Sequence, residues 1–189
     1  MASDGLYLWN VKMNDTTGGY DQHVANWSVI VDTASPALSS PTPSNISYIQ
    51  GTSAQTFSIV VSDANVKNGT VGYKRSQDVD YTYPVLSNCV GLNPTCTVNI
   101  DLSNTGTYPD GTVIQYYFKV YDKADNSGNN GTSSSPLNTT IDRGAPTYSS
   151  EATSPTSPAT YVSGASYQFN VTWTDSGGVH TGNLAAFYA

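Results

Sequence analysis

The sequence predicts an all-β protein, an antiparallel β-sandwich of two sheets. Three observations carry that prediction. Helical windows rich in Ala, Leu, Glu and Lys are missing, and Glu151 is the one glutamate in 189 residues. Runs of Val, Ile, Thr, Tyr and Phe are separated by Gly, Pro, Asn and Asp, the composition of short strands and tight turns. Within the runs, side chains alternate. Phe57, Ile59 and Val61 face one way with Ser58 and Ser62 opposite; Tyr116, Phe118 and Val120 face one way with Tyr117, Lys119 and Tyr121 opposite. One apolar and one polar face per strand is what two packed sheets need.

The elements follow in order once an internal repeat is recognised. "WNVKMND" (Trp9 to Asp15) matches "YYFKVYD" (Tyr116 to Asp122) in its aromatic, apolar, Lys and Asp positions. The segment from Val31 matches the segment from Ile141: Asp32 with Asp142, Pro36 with Pro146, Ser39-Ser40 with Ser149-Ser150, Gly51 with Gly164, Phe57 with Phe169 and Asp63 with Asp175. The period is roughly 110 residues, one sandwich domain. Residues 1–33 therefore read as the back end of a first unit, with Trp9, Val11 and Met13 on one face and Trp27, Val29 and Val31 on another strand. Residues 34–143 read as one whole unit. Its seven strands are expected near 36–40, 54–62, 70–76, 80–86, 95–102, 112–122 and 134–141. Residues 144–189 read as the front end of a third unit, with Tyr167, Phe169, Val171 and Trp173 sharing a face.

Two stretches give this pattern a likeness: "GLYLWNVKMNDTTGG…WSVIVDTASP" and "GTVIQYYFKVYDKADNSGNN…LNTTIDRGAP". They resemble the immunoglobulin-like or fibronectin type III-like repeats of prokaryotic surface proteins. There a penultimate strand ends in Asp, a Gly/Asn hairpin follows, and a last strand closes in "-V/I-D-T-x-x-P". The abundance of Thr, Asn and Tyr looks most like archaeal surface-layer, adhesin or filament proteins. The resemblance implies an Ig-like fold, with one complete repeat flanked by two partial ones, and names an architecture rather than an activity.

Charge narrows the partners. Fourteen acidic side chains face seven basic ones, a net charge of -7. No basic stripe is present to neutralise phosphates, so nucleic acid is not an expected partner; nor is an anionic membrane surface. No apolar run approaches the ~20 residues of a spanning helix, and "MASDGLYLWN" has neither the basic start nor the apolar core of a signal peptide. Cys89 and Cys96, in "CVGLNPTC", make a poor zinc site and read as a small disulfide-closed loop, the competing reading being two free thiols; a bridge implies an oxidising compartment or an organism whose proteins keep disulfides inside the cell. Asn-x-Ser/Thr occurs at Asn14, Asn26, Asn45, Asn68, Asn130, Asn138 and Asn170, where about four would arise by chance. These features place the chain outside the cell, as a glycosylated surface protein.

No catalytic constellation is present. His23 and His180 fall in loops or beside Gly, without a G-x-S-x-G or H-E-x-x-H motif. Asp78 and Asp80 read as the solvated charges of an edge strand. Lys12 and Lys119 recur at matching positions, as an interstrand isopeptide bond would require. Yet the alternation turns Lys119 away from Phe118 and Val120, toward solvent rather than the buried setting such a nucleophile needs.

The Asp residues carry the metal candidate. In an Ig-like sandwich the loops after the second and sixth strands share a pole. Here they hold Asp63-Ala-Asn65 and Asp122-Lys-Ala-Asp125-Asn126, and the entering linker carries Asp32. Asp32, Asp63, Asp122 and Asp125 are expected to converge between two units. Carboxylate and amide oxygens from separate loops suit Ca2+ rather than Zn2+. The competing reading is ordinary turn chemistry: Asp and Asn cap their own backbone, and Gly128 and Gly131 permit the reversal.

The expected function is structural or adhesive: a spacer or presenting module whose partners are neighbouring repeats, copies of itself, or surface glycans and proteins. Two alternatives remain. The terminal part-units can complete one another between molecules, as in a head-to-tail filament. Tyr73, Tyr81, Tyr83, Tyr117 and Tyr121 can form a sugar-stacking platform, as in a carbohydrate-binding module of an extracellular hydrolase.

Overall fold

The structure, a computed structural model, describes residues 4–22, 24–154, 156, 160, 162–175 and 177. Among these residues it is all-β, with fourteen strands and no helix. The strands are β1 (Gly5–Trp9), β2 (Lys12–Asn14), β3 (Tyr20–Gln22), β4 (Trp27–Val31), β5 (Ala37–Thr42), β6 (Ser47–Ile49), β7 (Ala54–Ser62), β8 (Val66–Arg75), β9 (Thr95–Asp101), β10 (Val113–Asp122), β11 (Ser127–Asn130), β12 (Leu137–Ile141), β13 (Thr147–Ser154) and β14 (Gln168–Thr174).

Strands β5 to β12 form two facing sheets. One is β5-β7-β9, antiparallel throughout. In the other, β10 pairs with β8 along one edge and with β11 and then β12 along the opposite edge. Strand β6 extends this sheet, parallel to β12. The alternation read from the sequence sets the core. Ile114, Tyr116, Phe118 and Val120 of β10 are fully buried, and so are Phe57 and Ile59 of β7. Each such side chain contributes about 1.5–3 kcal/mol of transfer free energy, so these two strands hold the sheets together. The Phe57 and Tyr116 rings meet edge to face across the sheets, with centroids 5.2 Å apart. The Tyr116 hydroxyl donates to the Pro43 carbonyl, just where the chain leaves β5 for β6 in the other sheet. Cys89 and Cys96 form the expected disulfide, which pins the β8–β9 connection to the core.

Three details differ from the sequence expectation. Residues 80–86 form no strand. Their backbone pairs with the sheet only through single bridges at Thr82 and Val85, because Pro84 cannot donate to a ladder. The return strand after β10 begins earlier than expected, at Ser127, and breaks into β11 and β12 around residues 131–136. The reversal therefore lies between Asp122 and Ser127, with Asp125 at φ 65°, and not at Gly128 or Gly131. Gly128 instead lets two strands approach: a Cβ there would lie 1.9 Å from the Pro36 carbonyl oxygen. Strand β6 was not anticipated, since three residues leave too short an alternation to read.

The outer hairpins repeat the central registers. Asn14–Tyr20 and Met13–Asp21 pair as Tyr121–Ser127 and Val120–Gly128 do. Leu6–Ile30 and Trp9–Trp27 pair as Val113–Thr140 and Tyr116–Leu137 do. Thus β1–β2 against β3–β4 reproduces β10 against β11–β12, break included. At the other end, Thr147–Thr174, Tyr148–Trp173 and Ser149–Thr172 pair as Ala37–Ser62, Leu38–Val61 and Ser39–Val60 do. Both hairpins then slip, to resume at Ala152–Asn170 and Thr42–Ser58. Within that slip Ser40 and Ser150 both adopt positive φ, 51° and 56°. A bulge with a left-handed serine is an uncommon solution, and finding it twice ties β13–β14 to β5–β7.

Candidate metal centre

Strands β7 and β10 end at one pole of the sandwich, and the chain before β5 reaches the same pole. Asp63 follows the end of β7, Asp122 ends β10, and Asp32 follows β4. One carboxylate oxygen from each of Asp32, Asp63 and Asp122 lies within 4.8 Å of the other two. Asp122 is fully buried, while Asp32 and Asp63 are half-buried.

The buried carboxylate is well supplied with donors. Its Oδ1 accepts the N–H groups of Ala124 and Asn126, at 2.8 and 2.9 Å. Its Oδ2 accepts the Asn126 side-chain amide at 2.8 Å, and that amide also donates to the Asp32 carbonyl at 2.9 Å. Asn126 thus ties the turn after β10 to the incoming chain. Asp63 Oδ1 accepts the Asn65 N–H at 2.6 Å, and the Asp63 N–H donates to Asn93 Oδ1 at 2.9 Å. Asp32 Oδ1 accepts the Ala34 N–H at 3.1 Å. The two ion pairs among the described residues, Lys67–Asp125 and Arg75–Asp78, involve none of the three carboxylates. Three close anions without a cationic side chain repel one another, and an oxygen-seeking divalent ion would relieve that repulsion.

Asp125 stands apart from these three. It was expected among the converging carboxylates, but it sits on the outside of the turn. Its Oδ1 accepts the Lys67 ammonium at 2.5 Å, with both side chains exposed. Asp125 itself has a left-handed backbone, φ 65°.

The local bonds recur at the aspartates that match in sequence. Asp142 Oδ1 accepts the Gly144 N–H as Asp32 accepts that of Ala34. Asp175 Oδ1 accepts the Gly177 N–H as Asp63 accepts that of Asn65. Asp15 Oδ1 accepts the N–H groups of Thr17 and Gly19, two and four residues on, as Asp122 does with Ala124 and Asn126. The Thr17 hydroxyl and these backbone donors hold the Asp15 carboxyl below its ordinary range. Turn chemistry is therefore real at every one of these aspartates. At the ends of β7 and β10 it also delivers three carboxylates to one place. Asn93, from the loop after the disulfide residue Cys89, was missed in the sequence. Its only signal was a turn-forming Asn before Pro94.

The other candidates fall as follows. Tyr81, Tyr83 and Tyr117 cluster on the outer face, with centroids 5.2–6.4 Å apart, over Gly72. The cluster differs from the expected platform of five. Tyr73 faces inward and packs against the core, where burial raises its pKa, and the Lys119 ammonium lies over the separate Tyr121 ring. Lys12 likewise lies over Tyr20. Asp78 is in a turn, not a strand, and its carboxylate takes two bonds from the Arg75 guanidinium, which hold its pKa low; Asp80 follows outside any strand. Of the sequon asparagines, Asn14, Asn26, Asn45, Asn68 and Asn170 are exposed and Asn138 is half-buried. Asn130 is not at a loop tip. It lies in β11 opposite Phe118, and its Oδ1 is buried. His23 and His180 lie outside the described residues.

No protein-family model matches the chain, and no curated protein matches it. The functional reading therefore rests on the geometry alone.

Proposed function

We propose that this chain is part of an extracellular array of Ig-like sandwich units whose role is structural, spacing or presenting other surfaces, without catalysis of its own. One observation carries the reading: a carboxylate from the incoming linker, Asp32, meets Asp63 and Asp122 from two loops of the following sandwich. A cation held there would join the linker to the domain, and Ca2+ suits three carboxylate ligands. The Asn126 bond to the Asp32 carbonyl supports the same geometry without metal. The recurrence of hairpin registers and of Asp hydrogen bonds in the outer segments supports a tandem array. The disulfide and the exposed sequons support an extracellular setting.

Hydrogen exchange of residues 32–36 with and without millimolar Ca2+ tests the proposal. Protection of the linker amides should rise with Ca2+ and not with Mg2+, which demands a tighter octahedral shell. Equal exchange in both conditions would leave the segment a spacer joined by hydrogen bonds alone.

A further inference from the structure

The end of the sandwich opposite the three aspartates is closed by a side chain of the protein itself. There the chain leaves β12 and runs through residues 142–146, which belong to no strand, into β13. Arg143 lies in that stretch, half-buried, with its guanidinium turned back onto the sandwich. Nη1 donates to the Gly51 carbonyl, between β6 and β7. Nη2 donates to the carbonyls of Leu102, after β9, and Tyr108, before β10, at 2.6 and 2.9 Å. Nε is buried as well. The Arg143 N–H donates to Asp110 Oδ1 at 2.7 Å, and the Asp142 N–H to the Ile49 carbonyl at 2.8 Å. The approach is close. At Gly51, φ 58°, a Cβ would lie 2.9 Å from Ile141 Cγ2 and 3.2 Å from Arg143 Nη2. The earlier linker has part of this arrangement. Thr33 matches Arg143 in the repeat and gives its N–H and hydroxyl to Asp4, as Arg143 gives its N–H to Asp110, but it has no guanidinium to reach into the loops.

We propose that Arg143 is a latch on the chain leaving the sandwich, and that it withholds the Arg143–Gly144 bond from Arg-specific, trypsin-like proteases. Such an enzyme must draw the linker out in extended form and take the guanidinium into an acidic pocket. Here the guanidinium is already committed to three carbonyls from three separate connections. A planar fork of donors suits that task, whereas a lysine ammonium is a point charge on a flexible stem. A hydrogen bond from a charged donor shifts an opening equilibrium by about tenfold or more. Proteolysis of a folded chain follows the population of the opened state. Together these bonds slow cleavage by on the order of 100-fold or more relative to the same residues in an unfolded peptide. None of the three clustered aspartates takes part, so the latch goes beyond the calcium reading and holds with or without that ion.

The test exposes the folded full chain to an Arg-specific endopeptidase and identifies the products by mass. The chain has two arginines, Arg75 and Arg143, so two cuts are possible. Arg75 lies in β8 with its guanidinium on Asp78, and a cut there reports opening of the sandwich itself. A cut after Arg143 without one after Arg75 reports release of the latch. Wild type should be cut after Arg143 roughly 100-fold more slowly than a peptide of residues 138–148. Two variants loosen the latch and keep Arg143. Asp110→Ala removes the acceptor of its N–H, and Gly51→Ala sets a methyl against its guanidinium. Each should speed the cut after Arg143 about tenfold or more and leave Arg75 uncut. A wild type cut after Arg143 within a few-fold of the peptide overturns the proposal. So does an Arg143 cut that neither variant speeds. An Arg143 cut that comes together with the Arg75 cut in both variants overturns it too, because cleavage then follows unfolding of the sandwich.

Discussion

Calcium should raise the unfolding temperature of the sandwich, and Asp63→Asn should remove most of that rise. Extracellular calcium modules have dissociation constants of ~10⁻⁴–10⁻³ M. At ~10 mM Ca2+ a single native-state site then contributes about 1.4–2.7 kcal/mol through RT ln(1 + [L]/Kd). For a domain of this size 1 kcal/mol moves Tm by roughly 4 °C, so the expected rise is ~6–11 °C. Asp63 is the position to change. An Asn there keeps Oδ1 for the Asn65 N–H and removes one charge from the triad. With oxygens within 4.8 Å, relief of repulsion amounts to about 1 kcal/mol per neighbour at water-like screening, so Asp63→Asn in EDTA should be at least as stable as wild type. Asp122 is unsuitable for this purpose, because an amide there would set a donor against the Asn126 side chain. Differential scanning calorimetry of both proteins, in EDTA and in Ca2+, gives the four temperatures needed. The same Tm for wild type in both buffers, or the same calcium-dependent rise in the variant, would refute the reasoning.

The remaining predictions concern stability. Reducing Cys89–Cys96, which closes a loop of sequence separation 7, should cost about 2.5 kcal/mol by chain entropy and be read as a lower urea midpoint in reductant. Gly128→Ala should lower the urea midpoint by the ~1–3 kcal/mol of an overpacked contact, because the added Cβ meets the Pro36 carbonyl and must part β11 from β5; an unchanged midpoint would count against that close approach. Tyr116→Phe leaves the Pro43 carbonyl without its donor and should cost about 1–3 kcal/mol. Burial raises the Tyr116 pKa, so its contribution is complete below the ordinary tyrosine pKa of 10.0 and is lost as pH rises beyond it. Alkaline unfolding of Tyr116→Phe should accordingly depend less steeply on pH than that of wild type; an equal slope would contradict the assignment. Tyr117, pushed up to about 12 by burial and then by Tyr83 and Tyr81, contributes to the slope that remains, together with Tyr73 and Tyr81, which burial also raises.

Much of the fold was legible because strand alternation is a local property. Phe57, Ile59 and Val61 announced β7 with both its ends, and Tyr116, Phe118 and Val120 announced β10. The disulfide was legible from two close cysteines. The stretch 80–86 misled because Tyr81, Tyr83 and Val85 alternate as a strand does. Pro84 and the crowding of Tyr83 and Tyr117 over Gly72 leave it only single bridges. The hairpin after β10 was placed too late because Gly128 and Gly131 look like turn residues. Gly128 is a glycine for a different reason, namely the carbonyl of Pro36 above it.

The candidate centre divides along the same line. The sequence by itself determined that Asp32, Asp63 and Asp122 end strands and linkers in a repeating pattern, because repetition and turn chemistry are written in residue order. Only the tertiary structure decided that three of the four proposed aspartates meet while Asp125 turns outward to Lys67. The physical reason is that Asp125 finds its partner, Lys67, on the exposed side of the turn, and residues far apart in the chain become neighbours only when two sheets close on a common core.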